Sequence, residues 1–310
     1  LRHGPGVQLA VELGAASADH CTHLSDADRE ALASSDTVAT LLAGKSAGVA
    51  KDYSAYVGFI LGTGTNTAYV EHNARITKRK DLDPSGSMVI NVESGAFTRV
   101  QQSLFDKIMD ASTNDCGHYT FEKMISGAYL GWVGSVVLGE AAKAGFFSPA
   151  AAVRIAELKI VSNKHLDDFC GGKPTADNPF LDAAFTAADR EAVARLCTPV
   201  YARAAVLTAV NLASAILKTG EGKDPARPVC VNVDGSTYYR TLTADFQNLV
   251  QRELKALLAP RGIAYELIKV DESPVIGAAV AAPTCEVRRP DARGGGATRR
   301  PAGARRAGTG

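Results

Sequence analysis

The stretch GFILGTGTNTAYVE, residues 58–71, constrains the chain more than any other. A β-rich run enters a turn made of Gly62, Thr63, Gly64 and Thr65, and a second β-rich run leaves it. With a third run downstream, residues 56–62, 66–71 and 87–93 predict three consecutive antiparallel strands. Helical spacing then takes over. Residues 101–111 and 121–144 carry apolar side chains at helical intervals, and 189–218 is a long helical region that Pro199 should bend or split. Residues 229–233 and 264–270 predict strands, 244–258 an amphipathic helix, and 275–282 a helix of small residues. Strands first and alternation later predict an α/β domain with a mixed β-sheet flanked by helices.

Composition narrows the partners. A chain of 310 residues with 46% hydrophobic and 22% charged residues belongs to the globular class. Its 34 Lys and Arg against 33 Asp and Glu leave a net charge of +1, so no nucleic-acid partner is expected for the body of the protein. The 6 cysteines form no CxxC pair, which suits reduced thiols and a cytoplasmic location better than a disulfide frame or zinc knuckle. No membrane partner is expected either. The first apolar run, 7–16, is short and carries Glu12, and the longest, 200–217, is interrupted by Arg203, Thr208, Asn211 and Ser214. That longer run reads as a buried helix ending at Lys218 and Gly220. Residues 286–310 hold seven arginines among Gly, Ala, Pro and Thr and read as a disordered basic tail. His20, Cys21 and His23 lack a further ligand at metal-site spacing, so no metal site is expected.

Chemistry concentrates in short segments. The turn at 62–65 leaves backbone N–H groups uncovered and adds two hydroxyls, which suits a polyphosphate; a plain Gly-rich hairpin is the alternative. Asn66, directly after it, can both donate to and accept from a polyol. Asp36 in SDTVATLL is either a helix N-cap or a carboxylate aimed at an attacking hydroxyl. Glu93 ends a strand in MVINVESGAF and Glu122 starts a helix in FEKMISGAYLG. Singly, each acid could be solvated or capping; together with Asn66 they could surround a hexose, whose hydroxyls bind charged acceptors strongly. In VCVNVDGSTYY a buried strand runs into Asp234, Gly235 and Ser236, a tight turn or a nucleotide edge of the sheet.

The order and spacing of these segments, with ESPVIGAAVAA at 272–282, resemble the hexokinases. That resemblance implies the actin-like ATPase fold, two RNase H-like domains with the active site in the cleft between them. It implies Asp36 as catalytic base, Asn66, Glu93 and Glu122 as sugar ligands, and Gly62, Thr63, Gly64 and Thr65 as the second phosphate motif. Asp234, Gly235 and Ser236 become the adenosine motif, and Ser35 occupies the sugar-contacting position where the family usually has Asn. ATP with Mg2+ and a hexose such as glucose, phosphorylated at its 6-hydroxyl, follow from the same resemblance. The first phosphate loop, DxGGTxxR, and the Thr-Lys and Ser-Phe-Pro sugar segments are not found and would lie upstream of Leu1. The organisation expected is therefore 1–34 as the remnant or divergent end of a small domain, 35–272 as the large domain, 273–285 as a returning helix, and 286–310 as tail. A truncated, weakly active hexokinase is the first expectation. The rivals are a catalytically dead sugar sensor and an actin-like nucleotide scaffold, the latter opposed by Asn66, Glu93 and Glu122.

Overall fold

The computed structural model describes residues 36–48, 51–78 and 80–281. Ser35, the expected small-domain remnant 1–34 with His20, Cys21 and His23, and the basic tail 286–310 lie outside the described residues. In chain order the elements are α1 (Asp36–Ala47), β1 (Ala55–Leu61), β2 (Thr65–His72), β3 (Ser87–Asn91), α2 (Leu104–Ala111), α3 (Thr120–Ile125), α4 (Gly127–Lys143) and α5 (Pro149–Leu158). There follow α6 (Asn163–Cys170), α7 (Ala187–Thr219), β4 (Val229–Asp234), α8 (Ser236–Arg240), α9 (Phe246–Leu258), β5 (Tyr265–Ile268) and α10 (Ser273–Ala281).

The five strands form one mixed sheet in the order β3-β2-β1-β4-β5. A hairpin turn, closed by Gly62 N–H donating to the Gly64 carbonyl at 2.9 Å, makes β1 and β2 antiparallel. β3 continues that meander, whereas β4 and β5 return after helical excursions and lie parallel to β1. Alternation along β1 sorts the two faces. Val57, Phe59 and Leu61 point with Val231 and Val233 of β4 into the main core, among side chains of α4, α7 and α9. Complete burial of Phe59 and Leu61 contributes about 2 kcal/mol each.

Gly58 faces the other way and seats α1. A methyl group there would meet the Thr37 carbonyl at 2.5 Å and the Leu41 nitrogen at 2.6 Å. At the far end of the helix, Gly48 lies against Tyr53 and Tyr56, so α1 runs antiparallel to β1 and carries Asp36 toward the β1 carboxyl end. Buried Asn232 of β4 binds this layer together, donating to the Thr40 carbonyl (2.8 Å) and Ser273 Oγ (3.0 Å) and accepting from Val270 N–H (3.2 Å).

The helical body is tied by buried carboxylates. Asp189 closes the capping box of α7 and also accepts from Ser148 N–H and Oγ, both at 2.8 Å, joining the starts of α5 and α7. Arg203 of α7 grips Asp106 of α2 through both terminal nitrogens, at 2.6 and 2.8 Å. Buried Lys123 pairs with Asp110 (2.7 Å) and Asp115 (2.8 Å).

Three expectations change. The helix expected at 121–144 is two helices, broken at Ser126 (ψ 158°). Pro199 does not split α7, whose buried Tyr201, Ala204, Ala205, Leu212 and Ile216 hold it in the core. Packing there outweighs one missing backbone hydrogen bond. Helices α5, α6 and α8 were not anticipated. By length and composition α7 could cross a membrane, but 56% of its apolar window is buried against protein.

Candidate functional site

β1 and β4 are neighbours in the sheet, so their carboxyl ends open side by side, with Ile60 opposite Asp234. This is the edge where open α/β sheets bind ligands. The β4 end is Gly235 at φ 108°, a left-handed conformation that glycine tolerates without strain. A methyl group on it would lie 2.3 Å from the Leu61 carbonyl oxygen and 2.8 Å from the Gly62 nitrogen, so the two strand ends touch through backbone alone. Asp234 turns back on this corner and accepts from Gly235 N–H at 2.6 Å, while Ser236 is exposed at the start of α8.

The carbonyls of the hairpin loop are drawn inward. Gly127 N–H and the Thr237 hydroxyl both donate to the Gly62 carbonyl at 2.8 Å, and Ala128 N–H donates to the Thr63 carbonyl at 3.2 Å. These bonds explain the break at Ser126: the first N–H groups of α4, which a helix leaves unpaired, are given to the loop. Among the described residues the N–H groups of Thr63 and Gly64 have no protein acceptor, and the Thr63 side chain is exposed. Thr65 points inward, its hydroxyl donating to the Ile60 carbonyl at 2.9 Å.

Glu122 joins this loop to a second cluster. From the first turn of α3 its Oε2 accepts from Thr65 N–H at 2.8 Å, and a methyl group on Gly64 would come within 2.6 Å of the same oxygen. Burial pushes the Glu122 carboxyl above its ordinary value; the Thr65 N–H bond opposes that shift, and the charges of Asp115 and Glu93 add to it.

Asn66 and Glu93 meet because of strand register. Ala68 pairs with Asn91 and Val92 N–H donates to the Thr67 carbonyl, so continuing the ladder sets Glu93 opposite Asn66. Asn66 Nδ2 donates to Glu93 Oε1 at 3.2 Å. Glu93 itself adopts a left-handed backbone, φ 54°, an uncommon conformation for a non-glycine residue that turns the chain into the short 3-10 turn Ser94–Ala96.

Asp36 lies inside the first turn of α1 rather than at its N-cap position, with Thr40 Oγ1 donating to its carbonyl at 2.8 Å. The N-cap alternative is thereby corrected: the first turn favours a carboxylate through the helix dipole. The antiparallel course of α1 along β1 brings Asp36 to the same edge as the loop at 62–65. The structure thus gathers Asn66, Glu93, Glu122 and the corners at 62–65 and 234–236 into one edge region.

Sequence reading missed Asn91, Ser94 and Thr237. Asn91 was partly detectable: the strand expected at 87–93 sets it two positions before Glu93, although the structure turns Glu93 out of β3 at φ 54°. Among the described residues no three His, Cys, Asp or Glu side chains converge on a cation position. A magnesium ion carried on nucleotide phosphates keeps most of its waters and needs one or two protein carboxylates at most, so it does not depend on such a cluster.

The family model for Hexokinase matches residues 56–284. The chain belongs to the hexokinase family. It is similar to the Hexokinase-like 1 protein of Arabidopsis thaliana, 32% identical over 252 residues, covering 75% of this chain and 50% of that protein. It is 34% identical over 232 residues to Hexokinase-5 of Oryza sativa subsp. japonica, covering 67% of this chain and 41% of the relative. The chain thus spans about half the length of the hexokinases it matches. The solved hexokinase from Schistosoma mansoni, complexed with glucose, superposes with a TM-score of 0.66 at 26% identity over 81% of this chain and 56% of that one. The mixed sheet flanked by helices is accordingly the actin-like fold of hexokinases. Asp36 lies ahead of the family match, whose first residue is Tyr56.

Proposed function

We propose that the chain carries the large-domain part of an ATP-dependent kinase that phosphorylates the 6-hydroxyl of a glucose-like hexose. One observation supports this above the others: the Glu122 carboxylate that would hold the sugar accepts a hydrogen bond from Thr65 of the loop that would hold phosphate. Sugar and phosphoryl group would then be bound by adjoining parts of one rigid unit, which is the positioning phosphoryl transfer needs.

In this mechanism Asn66, Glu93 and Glu122 hold the hexose through its hydroxyls. The 6-oxygen attacks the γ-phosphorus, forming an O–P bond as the bond to the β-phosphate bridging oxygen breaks and ADP departs. Asp36 takes the proton that the 6-hydroxyl loses. The uncommitted N–H groups of Thr63 and Gly64, with the Thr63 hydroxyl, stabilise charge on the phosphoryl oxygens. Residues 234–236 line the adenosine side. Magnesium bound to the nucleotide phosphates would supply charge neutralisation there, and no step here passes through it.

Asp36→Ala should lower the transfer rate by about 10^2 to 10^4 in a form competent for turnover, leaving ADP affinity unchanged. An unchanged rate removes Asp36 from the proton step. The function itself is tested by a coupled ATP and glucose phosphorylation assay on this chain, beside a form extended upstream from its source gene. Turnover in either form supports the kinase; glucose binding without turnover in both transfers the chain to the sugar-sensor class.

A further inference from the structure

Asn66 and Glu93 do not stand independently, and the residue that binds them together has no role in the mechanism above. Asn66 Nδ2 gives one hydrogen to Asn91 Oδ1 at 2.8 Å and the other to Glu93 Oε1 at 3.2 Å. Asn91 Nδ2 in turn donates to the same Glu93 Oε1 at 2.5 Å. The Asn66 oxygen accepts from two backbone donors, Thr67 N–H at 2.7 Å and Ser94 N–H at 3.2 Å. The backbone donors fix which way the Asn66 amide faces, since a flipped amide would set its nitrogen against two N–H groups and its oxygen against two acceptors.

Asn91 completes a ring of three side chains in which one carboxylate oxygen of Glu93 is fully occupied. Glu93 Oε2 has no protein partner among the described residues and is left to accept from a ligand. Asn91 and Glu93 are both exposed. Hydrogen bonds among exposed side chains add little to folding stability. A closed ring of them at the mouth of a site orients groups in advance, so a ligand does not have to order them on arrival.

We propose that Asn91 is a positioning residue of the hexose site, setting the orientation of the Asn66 amide and the Glu93 carboxylate. This rests on the hexose-kinase function proposed above, from which its test is separable. Asn91→Ala should weaken glucose binding by the 310-residue chain about 10-fold, the value of one lost hydrogen bond, with the unfolding temperature unmoved. Asn91→Asp keeps the acceptor for Asn66 but sets a second carboxylate against Glu93. Its glucose affinity should fall by about 10-fold or more, since Glu93 loses its donor and faces a like charge. The second readout needs no sugar: in chains labelled with 15N-asparagine, side-chain amide exchange at Asn66, assigned through the signal lost in Asn66→Asp, should accelerate several-fold in Asn91→Ala. Unchanged exchange overturns the proposal, as does wild-type glucose affinity in both variants. If the wild-type chain binds no hexose, the kinase function fails, and the exchange measurement still decides whether Asn91 orients Asn66.

Discussion

The two halves of the site are made of different material. On the side proposed for the nucleotide, residues 62–65 and Gly235 present main chain, the loop being held by bonds from Gly127, Ala128 and Thr237 to its carbonyls. On the side proposed for the sugar, Asn66, Glu93 and Glu122 present side chains, held by Asn91, Ser94 and the Thr65 N–H. A site made of backbone survives the loss of a side chain but not the addition of one. A site made of side chains does the reverse. The contrast fits the ligands: phosphate oxygens are alike and need only N–H groups, whereas a hexose is distinguished by which hydroxyl points where.

Adding a methyl group on the proposed nucleotide side should therefore have the largest effect. Gly235→Ala demands φ 108° of a residue with a side chain and sets a carbon 2.3 Å from the Leu61 carbonyl. The strand ends must separate, and we expect ADP affinity to fall about 100-fold or more with a Tm several degrees lower. Calorimetric titration with ADP and thermal unfolding measure the two; wild-type ADP affinity would break the idea that both strand ends form one surface.

Removing a charge on the sugar side comes next. Glu122→Gln keeps an acceptor for Thr65 N–H but loses the carboxylate, and glucose affinity should drop about 10-fold to 100-fold. If the ionised form is the one that holds sugar, as proposed, affinity should decline as pH falls through a value above that of an ordinary glutamate. The sign for stability is opposite. A carboxyl raised on folding favours the protonated fold, so its ionisation costs stability at neutral pH, and the cost is relieved as pH falls below the raised value. Glu122→Gln should consequently leave Tm at pH 7 unchanged or higher while glucose affinity falls. A lower Tm together with intact glucose affinity would make Glu122 a structural residue.

Those contrasts were partly legible in the sequence. The hairpin at 62–65 and the nearly continuous apolar run of β4 declared themselves, because local alternation and turn chemistry set them, and each strand ended within about two residues of expectation. What escaped depends on distant partners. The break at Ser126 exists because Gly127 and Ala128 bond to the loop after β1, and nothing near Ser126 announces it. Pro199 does not split α7, which is buried on either side of it. α5 and α6 were local failures, since Ser148 followed by Pro149, and Ser162, are ordinary N-cap signals. Asn91 fell between, its place at the end of a strand readable but its partner Asn66 fixed only by the β2–β3 register.

The smallest effect is the sharpest test of the contrast. Thr63 is exposed, between two glycines, in the loop proposed for the γ-phosphoryl group. If backbone carries that half of the site, Thr63→Ala loses one hydroxyl and keeps every N–H group. Nucleotide affinity should then fall only about 5-fold, near 1 kcal/mol, and the transfer rate by a similar factor. Titration with ADP and the coupled assay on a turnover-competent form measure both. A loss of affinity as large as that from Gly235→Ala would make the hydroxyl, not the main chain, the principal phosphate donor. The two halves would then both be side-chain sites, and tolerance to truncation would no longer separate them.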